Sequence, residues 1–214
     1  MKKILVLGST GQLGTALKSD LTKWCEVTFL NRNDLDFTNI DSLNTKLKDL
    51  KPDFIINGAA YTNVDQAEEF IEKAFQVNSL AVEKLSKLAN SIGAVLVHFS
   101  TDYVFDGKKN TPYIETEIPN PLSIYGKSKL EGEQFIEKNC SKFLILRTSG
   151  VISKNNDNFV SKIKKLAKTK KELSVINDQI TSVNFSSYIS KATSKILQQI
   201  ENNPDNENRW GIYH

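Results

Sequence analysis

Short unbroken apolar runs alternate along the chain with stretches in which apolar residues recur every three to four positions. The runs 4–7, 27–30, 54–56, 95–99, 143–146 and 173–176 read as strands. Near-continuous apolarity, as in Val95-Leu96-Val97, suits strands covered on both faces. The periodic stretches 12–23, 40–50, 65–92, 123–139, 159–169 and 187–200 read as helices, the longest with a break near Lys73. Gly93 fits the end of that long helix. Such alternation implies parallel strands joined by crossover helices, so the expected class is α/β with a doubly wound parallel sheet. Two regions break the pattern. Residues 102–121 carry Gly107, Pro112, Pro119 and Pro121 and read as an ordered loop over a site. Residues 150–185 are weakly patterned, with a polar tract Lys154-Asn155-Asn156-Asp157-Asn158, and read as a small substrate-facing lobe. The expected division is a core over 1–149, then 150–214 as a partial lobe plus late core elements, ending in one more strand at 210–214.

Composition narrows the class. A chain of 214 residues with 39% apolar and 25% charged content fits a folded water-soluble protein. No apolar run reaches the ~18 to 20 residues of a membrane span. Met1-Lys2-Lys3 leads into an apolar run of four that stops at a glycine turn, which is a buried first strand rather than a targeting signal, and a cytoplasmic setting is expected. The net charge of +3 is scattered, and residues 162–171 alternate lysine with apolar positions as a solvated helix face does, so no nucleic-acid partner is expected. Cys25 and Cys140 read as reduced thiols, and His98 and His214 stand alone, so no metal is expected. Against a lysine-rich background only Arg32, Arg147 and Arg209 are arginine, and each invites a specific explanation.

The turn Gly8-Ser9-Thr10-Gly11-Gln12-Leu13-Gly14 follows the first strand and opens the first helix, which makes the core Rossmann-like. Glycines there permit a tight turn and let backbone N–H groups approach a pyrophosphate at the helix N-terminus, while Gly14 allows close helix–strand packing. The second strand ends Leu30-Asn31-Arg32, with no carboxylate to grip a ribose 2′-OH. Arg32 suits a 2′-phosphate, which favours NADPH over NADH; a solvent-exposed arginine is the other reading. Asp36 and Phe37 suit the adenine edge and face. Ala59, Ala60 and Tyr61 end the third strand where a flat cofactor would lie, or form a simple strand-to-loop turn.

Tyr125 and Lys129 stand four residues apart, on one face of a helix. An ammonium beside a phenol lowers its pKa and fits it to exchange a proton with a substrate oxygen. Thr101 ends the fourth strand, where ligands of open α/β sheets bind; it could meet the same oxygen or make a local turn.

The segments GSTGQLG (8–14), NGAAYTNVDQAE (57–68), STDYVFDG (100–107), YGKSKLEGE (125–133), LRTS (146–149) and VINDQ (175–179) carry a resemblance spanning most of the chain. By them the chain resembles the extended short-chain dehydrogenases/reductases, and among those the dTDP-4-dehydrorhamnose reductase family. The resemblance implies reduction of the C4 ketone of a nucleotide-linked deoxysugar, a step of dTDP-rhamnose and polysaccharide biosynthesis. Tyr125 would be the general acid, Lys129 would hold the nicotinamide ribose, and Thr101 would complete the triad. Asn78 would assist at the cofactor, Val64, Asp102 and Tyr103 would face the sugar, and a homodimer would be the assembly.

Two departures fall on the substrate side. The family usually has tryptophan after Arg-Thr-Ser, where this chain has Gly150. It usually has a glycine and then Pro-Thr after the Asp-Gln pair, where this chain has Ile180-Thr181-Ser182-Val183-Asn184. The family pattern also continues past the segment that ends this sequence, so the substrate lobe is expected to be incomplete, in a truncated chain or a shorter homologue. Two alternatives stay open: a sugar-nucleotide epimerase or dehydratase, and a non-catalytic NADP-binding regulatory subunit like the β subunit of methionine adenosyltransferase.

Overall fold

Period-two alternation within the strands sets the layering. In a computed structural model that describes residues 1–39, 42–154 and 158–214, the strands are β1 (Lys3–Leu7), β2 (Glu26–Leu30), β3 (Phe54–Asn57), β4 (Val95–Thr101), β5 (Phe143–Thr148), β6 (Gly150–Ile152), β7 (Val183–Phe185) and β8 (Gly211–Tyr213). Six of these form one parallel sheet in the order β2-β1-β3-β4-β5-β8, while β6 pairs with β7 apart from it. Leu5, Leu7, Ile55, Leu96 and Ile145 point to one face and Ile4, Val6, Ile56, Val97 and Leu144 to the other. Helices α1 (Gln12–Leu21) and α8 (Ser186–Asn202) cover the second set through Leu17, Leu21 and Leu197. The first set packs on α2 (Ser42–Leu50), α5 (Ala81–Ser91) and α6 (Ile124–Asn139) through Leu43, Leu47, Leu85 and Ile136. A Rossmann-like doubly wound sheet is thus the fold.

Strand order reverses direction between β1 and β3, because the chain winds outward to β2 and then returns across β1. Such a switch point opens a crevice at the carboxyl ends of the strands. The first glycine turn, Ala59 and the end of β4 all gather there.

The structure corrects three expectations. The stretch 65–92 is α3 (Val64–Glu69), α4 (Ile71–Phe75), a π-helical turn Gln76–Leu80 and α5, and its break lies at Phe70 (φ −111°, ψ 55°) rather than Lys73. Residues 173–176 form no strand: β8 already occupies the outer edge of β5, and Val175 and Ile176 lie exposed. The three-residue strands β6 and β7 were not foreseen within the weakly patterned stretch 150–185. The expected helix 40–50 is helical over 42–50, and the start at 40–41 and residues 155–157 of the polar tract lie outside the described residues. Helix α7 (Phe159–Leu166) forms where a solvated helix was expected.

The 102–121 connection is ordered, as its proline content implied. Asp106 accepts hydrogen bonds from the Tyr113 hydroxyl (2.8 Å), the Asn120 side-chain amide (3.0 Å) and the Lys108 backbone N–H (3.2 Å). Among the described residues no helix is long and apolar enough to cross a membrane.

Candidate active site

Gly8 adopts φ +75°, and a Cβ there would stand 2.6 Å from the Ala59 backbone nitrogen. The turn therefore requires glycine both for its conformation and for the approach of the third strand's loop. At Gly14 a Cβ would stand 2.3 Å from the Gly8 carbonyl, which is the close helix–strand packing expected of the third glycine. No side chain caps α1 at Gly11, so the first N–H groups of the helix remain available to an anion.

A cleft of about 540 Å³ opens above this cradle. Of the residues proposed for the cofactor, Gly8, Thr10, Gly11, Gln12, Leu13, Asn31, Arg32, Asp36, Phe37, Ala59, Ala60, Tyr61, Tyr125 and Lys129 line it. Because β2 and β5 flank β1, β3 and β4, Arg32 and Thr148 mark opposite ends. Two expected members sit behind the wall. Gly14 is buried beneath it, and Asn78 accepts from the Tyr61 N–H (2.8 Å) and donates to the Tyr61 carbonyl (3.0 Å) and Ser128 hydroxyl (3.0 Å). Asn78 thus staples the π turn to the cleft wall. Phe37 is 6% exposed and packed into the core, so little of its ring is open to the cleft.

Lys73 lines the cleft near Arg32 and was not anticipated. The Thr38 backbone amide and hydroxyl hold the Asp36 carboxyl below its ordinary range, with Arg32 and Lys73 adding to the effect. Two buried polar atoms, Gln12 Oε1 and Ser100 Oγ, line the same cleft without a hydrogen-bond partner. Buried polar atoms are ordinarily paired. Together with the uncapped helix and a cradle that a Cβ would fill, these two orphans fit a polar, phosphate-bearing ligand. Ser100 was legible only as the neighbour of Thr101; strand alternation sends Ser100 to the cleft.

Tyr125 occupies the first turn of α6, which Ser123 caps by accepting from the Gly126 N–H at 3.1 Å. A Cβ at Gly126 would lie 2.2 Å from the Tyr103 carbonyl, so glycine lets this helix start against the end of β4. Thr101 lies near enough to the phenol for its side chain to act on it, while its hydroxyl donates to Asp102 at 3.2 Å. Contrary to the expected lowering, loss of water pushes the phenol up to about 12, against the pull of Thr101, and the Asp102 carboxylate adds to the rise. The reason is where Lys129 points. Its Nζ bonds the Phe99 carbonyl (2.7 Å) and His98 Nε2 (3.0 Å), and burial brings it down to about 8.

On the substrate side, Asp102 accepts from the hydroxyls of Thr101 (3.2 Å), Ser149 (2.5 Å) and Thr181 (3.1 Å). The Tyr103 ring meets Tyr125 edge-on at 5.6 Å. Gly150 opens β6, whose pairing with Val183 brings Thr181 to this corner. Val64 opens α3 and lies outside the cleft lining. The sequence marked Ser149 only as part of the LRTS segment and Thr181 only among the departures after Asp-Gln, and it did not show that they meet, because hydroxyls far apart in the chain show no spacing.

The three arginines find explanations. Arg32 lines the cleft. Arg147 forks onto the buried Glu133 at 2.7 to 3.2 Å, and Arg209 closes the carbonyls of Ile200, Asn203 and Asn206.

The family model described as the RmlD substrate binding domain matches residues 1–214. A dTDP-4-dehydrorhamnose reductase of Shigella flexneri is 37% identical over 215 residues, covering 99% of this chain and 71% of the relative. A spore coat polysaccharide biosynthesis protein of Bacillus subtilis is 38% identical over 100% of this chain and 73% of its own length. Among solved structures, a Bacillus anthracis dTDP-4-dehydrorhamnose reductase in complex with NADP superposes with a TM-score of 0.91. It has 34% identity and covers 100% of this chain and 74% of that one.

Proposed function

This chain belongs to the RmlD substrate binding domain family, and from that premise we propose an NADPH-dependent reduction of the C4 ketone of a dTDP-linked deoxysugar. The observation that carries the proposal is the cleft that runs from the glycine cradle to Tyr125, with Thr101 beside the phenol just outside the lining. When bound, NADPH supplies the hydride. Backbone N–H groups at the start of α1 would hold its pyrophosphate, and Arg32 with Lys73 would meet the 2′-phosphate. Gln12 Oε1 and Ser100 Oγ would receive partners from the ligand.

A phenol held near 12 keeps its proton at Oη at neutral pH. That is the state needed for reduction, since the donor must still hold the proton when negative charge develops on the substrate oxygen. Thr101, beside the phenol, would hydrogen-bond the same substrate oxygen. Lys129 lines the cleft one helical turn further on, where it would meet the ribose hydroxyls. Asp102 and Tyr103 adjoin Tyr125 outside the cleft lining, where the sugar would sit, and Gly150 and Val64 would lie at its margin. In this reading residues 1–149 form the cofactor core, and 150–214 add the substrate side along with α8 and β8.

The test is NADPH oxidation with dTDP-4-keto-6-deoxy sugar. Tyr125→Phe is expected to lower turnover by about 10²- to 10⁴-fold while NADPH still binds. Wild-type protein that binds NADPH but does not turn over this sugar would overturn the proposal.

A further inference from the structure

Three hydroxyls from three parts of the chain converge on the Asp102 carboxylate. Thr101, at the end of β4, donates to Oδ1 at 3.2 Å. Ser149, just past β5, donates to Oδ2 at 2.5 Å, and Thr181 donates to the same oxygen at 3.1 Å. The Ser149 and Thr181 hydroxyls also touch each other. A carboxylate offers about four lone-pair sites, two on each oxygen. Oδ2 is therefore filled, while Oδ1 holds Thr101 and keeps one site open.

Thr181 owes its place to a local pairing. β6 and β7 run parallel with Gly150 beside Val183, which carries the residues preceding each strand to one corner. Gly150 adds no side chain to cover that corner, and Thr181 itself stays exposed. Water would serve an exposed hydroxyl nearly as well as a protein partner, so this bond adds little to stability. Its effect is on where the carboxylate points.

We propose that Thr181 is a positioning residue: with Ser149 it holds Oδ2, so that Asp102 presents Oδ1 to the sugar hydroxyl next to the ketone. The inference rests on the reaction proposed above and names the contact that selects its substrate. Thr101 would meet the C4 oxygen, and Oδ1 lies 3.2 Å from the Thr101 hydroxyl. Groups that close reach oxygens on neighbouring carbons of one ring. In a 6-deoxyhexose C5 carries the ring oxygen and a methyl group, so the neighbouring hydroxyl is the one on C3. Without substrate Thr101 directs its one proton to Asp102. A C3 hydroxyl donating to Oδ1 takes over that bond, and the Thr101 hydroxyl turns toward the ketone. Only hydrogen bonds move in this exchange; every proton stays on its own oxygen.

Titration calorimetry of the NADP⁺-loaded protein with dTDP-6-deoxyhexose and with its 3-deoxy counterpart tests this. Thr181→Val keeps the side chain's shape and removes the hydroxyl. It should weaken the first sugar about 10-fold and the second less than about twofold. Thr181→Ser should return both to within about twofold of wild type, and NADPH affinity should be unchanged in either variant. Equal weakening of the two sugars would mean that Thr181 merely supports the corner, and it would overturn the inference, as would no weakening at all. Either result alongside wild-type turnover of the 4-keto sugar sinks this inference alone. Wild-type protein that binds neither sugar would remove the proposed reaction as well.

Discussion

Helices α6 and α7 begin alike and end in different circumstances. Each starts at a side-chain cap, Ser123 in one and an Asn158–Ser161 capping box in the other. Yet α6 buries Gly126, Ser128, Lys129, Gly132, Glu133 and Ile136, whereas α7 buries none of its residues. Local signals suffice to start a helix; a neighbour is needed to give it an inside. Where the neighbour exists, even charged residues go under, provided each finds a partner: Glu133 takes Arg147, and Lys129 takes His98 and a carbonyl. In residues 167–182 no such neighbour is at hand, and Ile180 stands 92% exposed.

The contrast can be broken most sharply at Gly132, where a Cβ would lie 2.2 Å from the Asn78 carbonyl. Gly132→Ala is expected to destabilise by about 3 kcal/mol, because backbone must move to admit the methyl. Urea unfolding measures this, and a change below about 0.5 kcal/mol would mean that α6 and the π turn are not locked.

A second test uses the buried lysine. Its pKa of about 8 lies below the ordinary 10.5, so between those values the unfolded chain binds the proton that the folded chain has released. Stability from this group therefore rises with pH across that window, by up to ~1.4 kcal/mol per unit. Lys129→Met should remove the rise between about pH 8 and 10, as read from thermal unfolding at several pH values; an unaltered slope would refute it. Above pH 10 the raised phenol of Tyr125 acts in the opposite sense.

Arg32→Ala should weaken NADPH about 10- to 100-fold and leave NADH within about twofold, as loss of charge-assisted bonds to a phosphate predicts. Equal losses for both cofactors in titration calorimetry would remove Arg32 from the 2′-phosphate. The smallest effect belongs to the exposed segment: Ile180→Ser should change unfolding free energy by no more than about 0.5 kcal/mol. A larger loss would show that this residue is covered in solution.

The same division governs how much the sequence disclosed. The first five strands of the main sheet, the glycine cradle and the Tyr125–Lys129 spacing were legible because each is a local pattern that the sheet then reinforces. The phenol's environment was not. Spacing placed Lys129 on the right face of α6, but the direction of its ammonium depends on His98 and Phe99, about thirty residues earlier. Residues 173–176 had the composition of a strand, but the place beside β5 belongs to β8. Ser149 and Thr181 meet at Asp102 only because β6 pairs with β7.

The π turn at Gln76–Leu80 bears on inheritance. The Ala81 N–H reaches back to the Gln76 carbonyl, one residue further than in an α-helix. Removing one residue there would restore ordinary pitch and swing α3 and α4 by about 100° relative to α5. Asn78 would leave Tyr61, although every remaining letter was unchanged. This stretch can drift in spelling across generations, but its length is what descent must preserve.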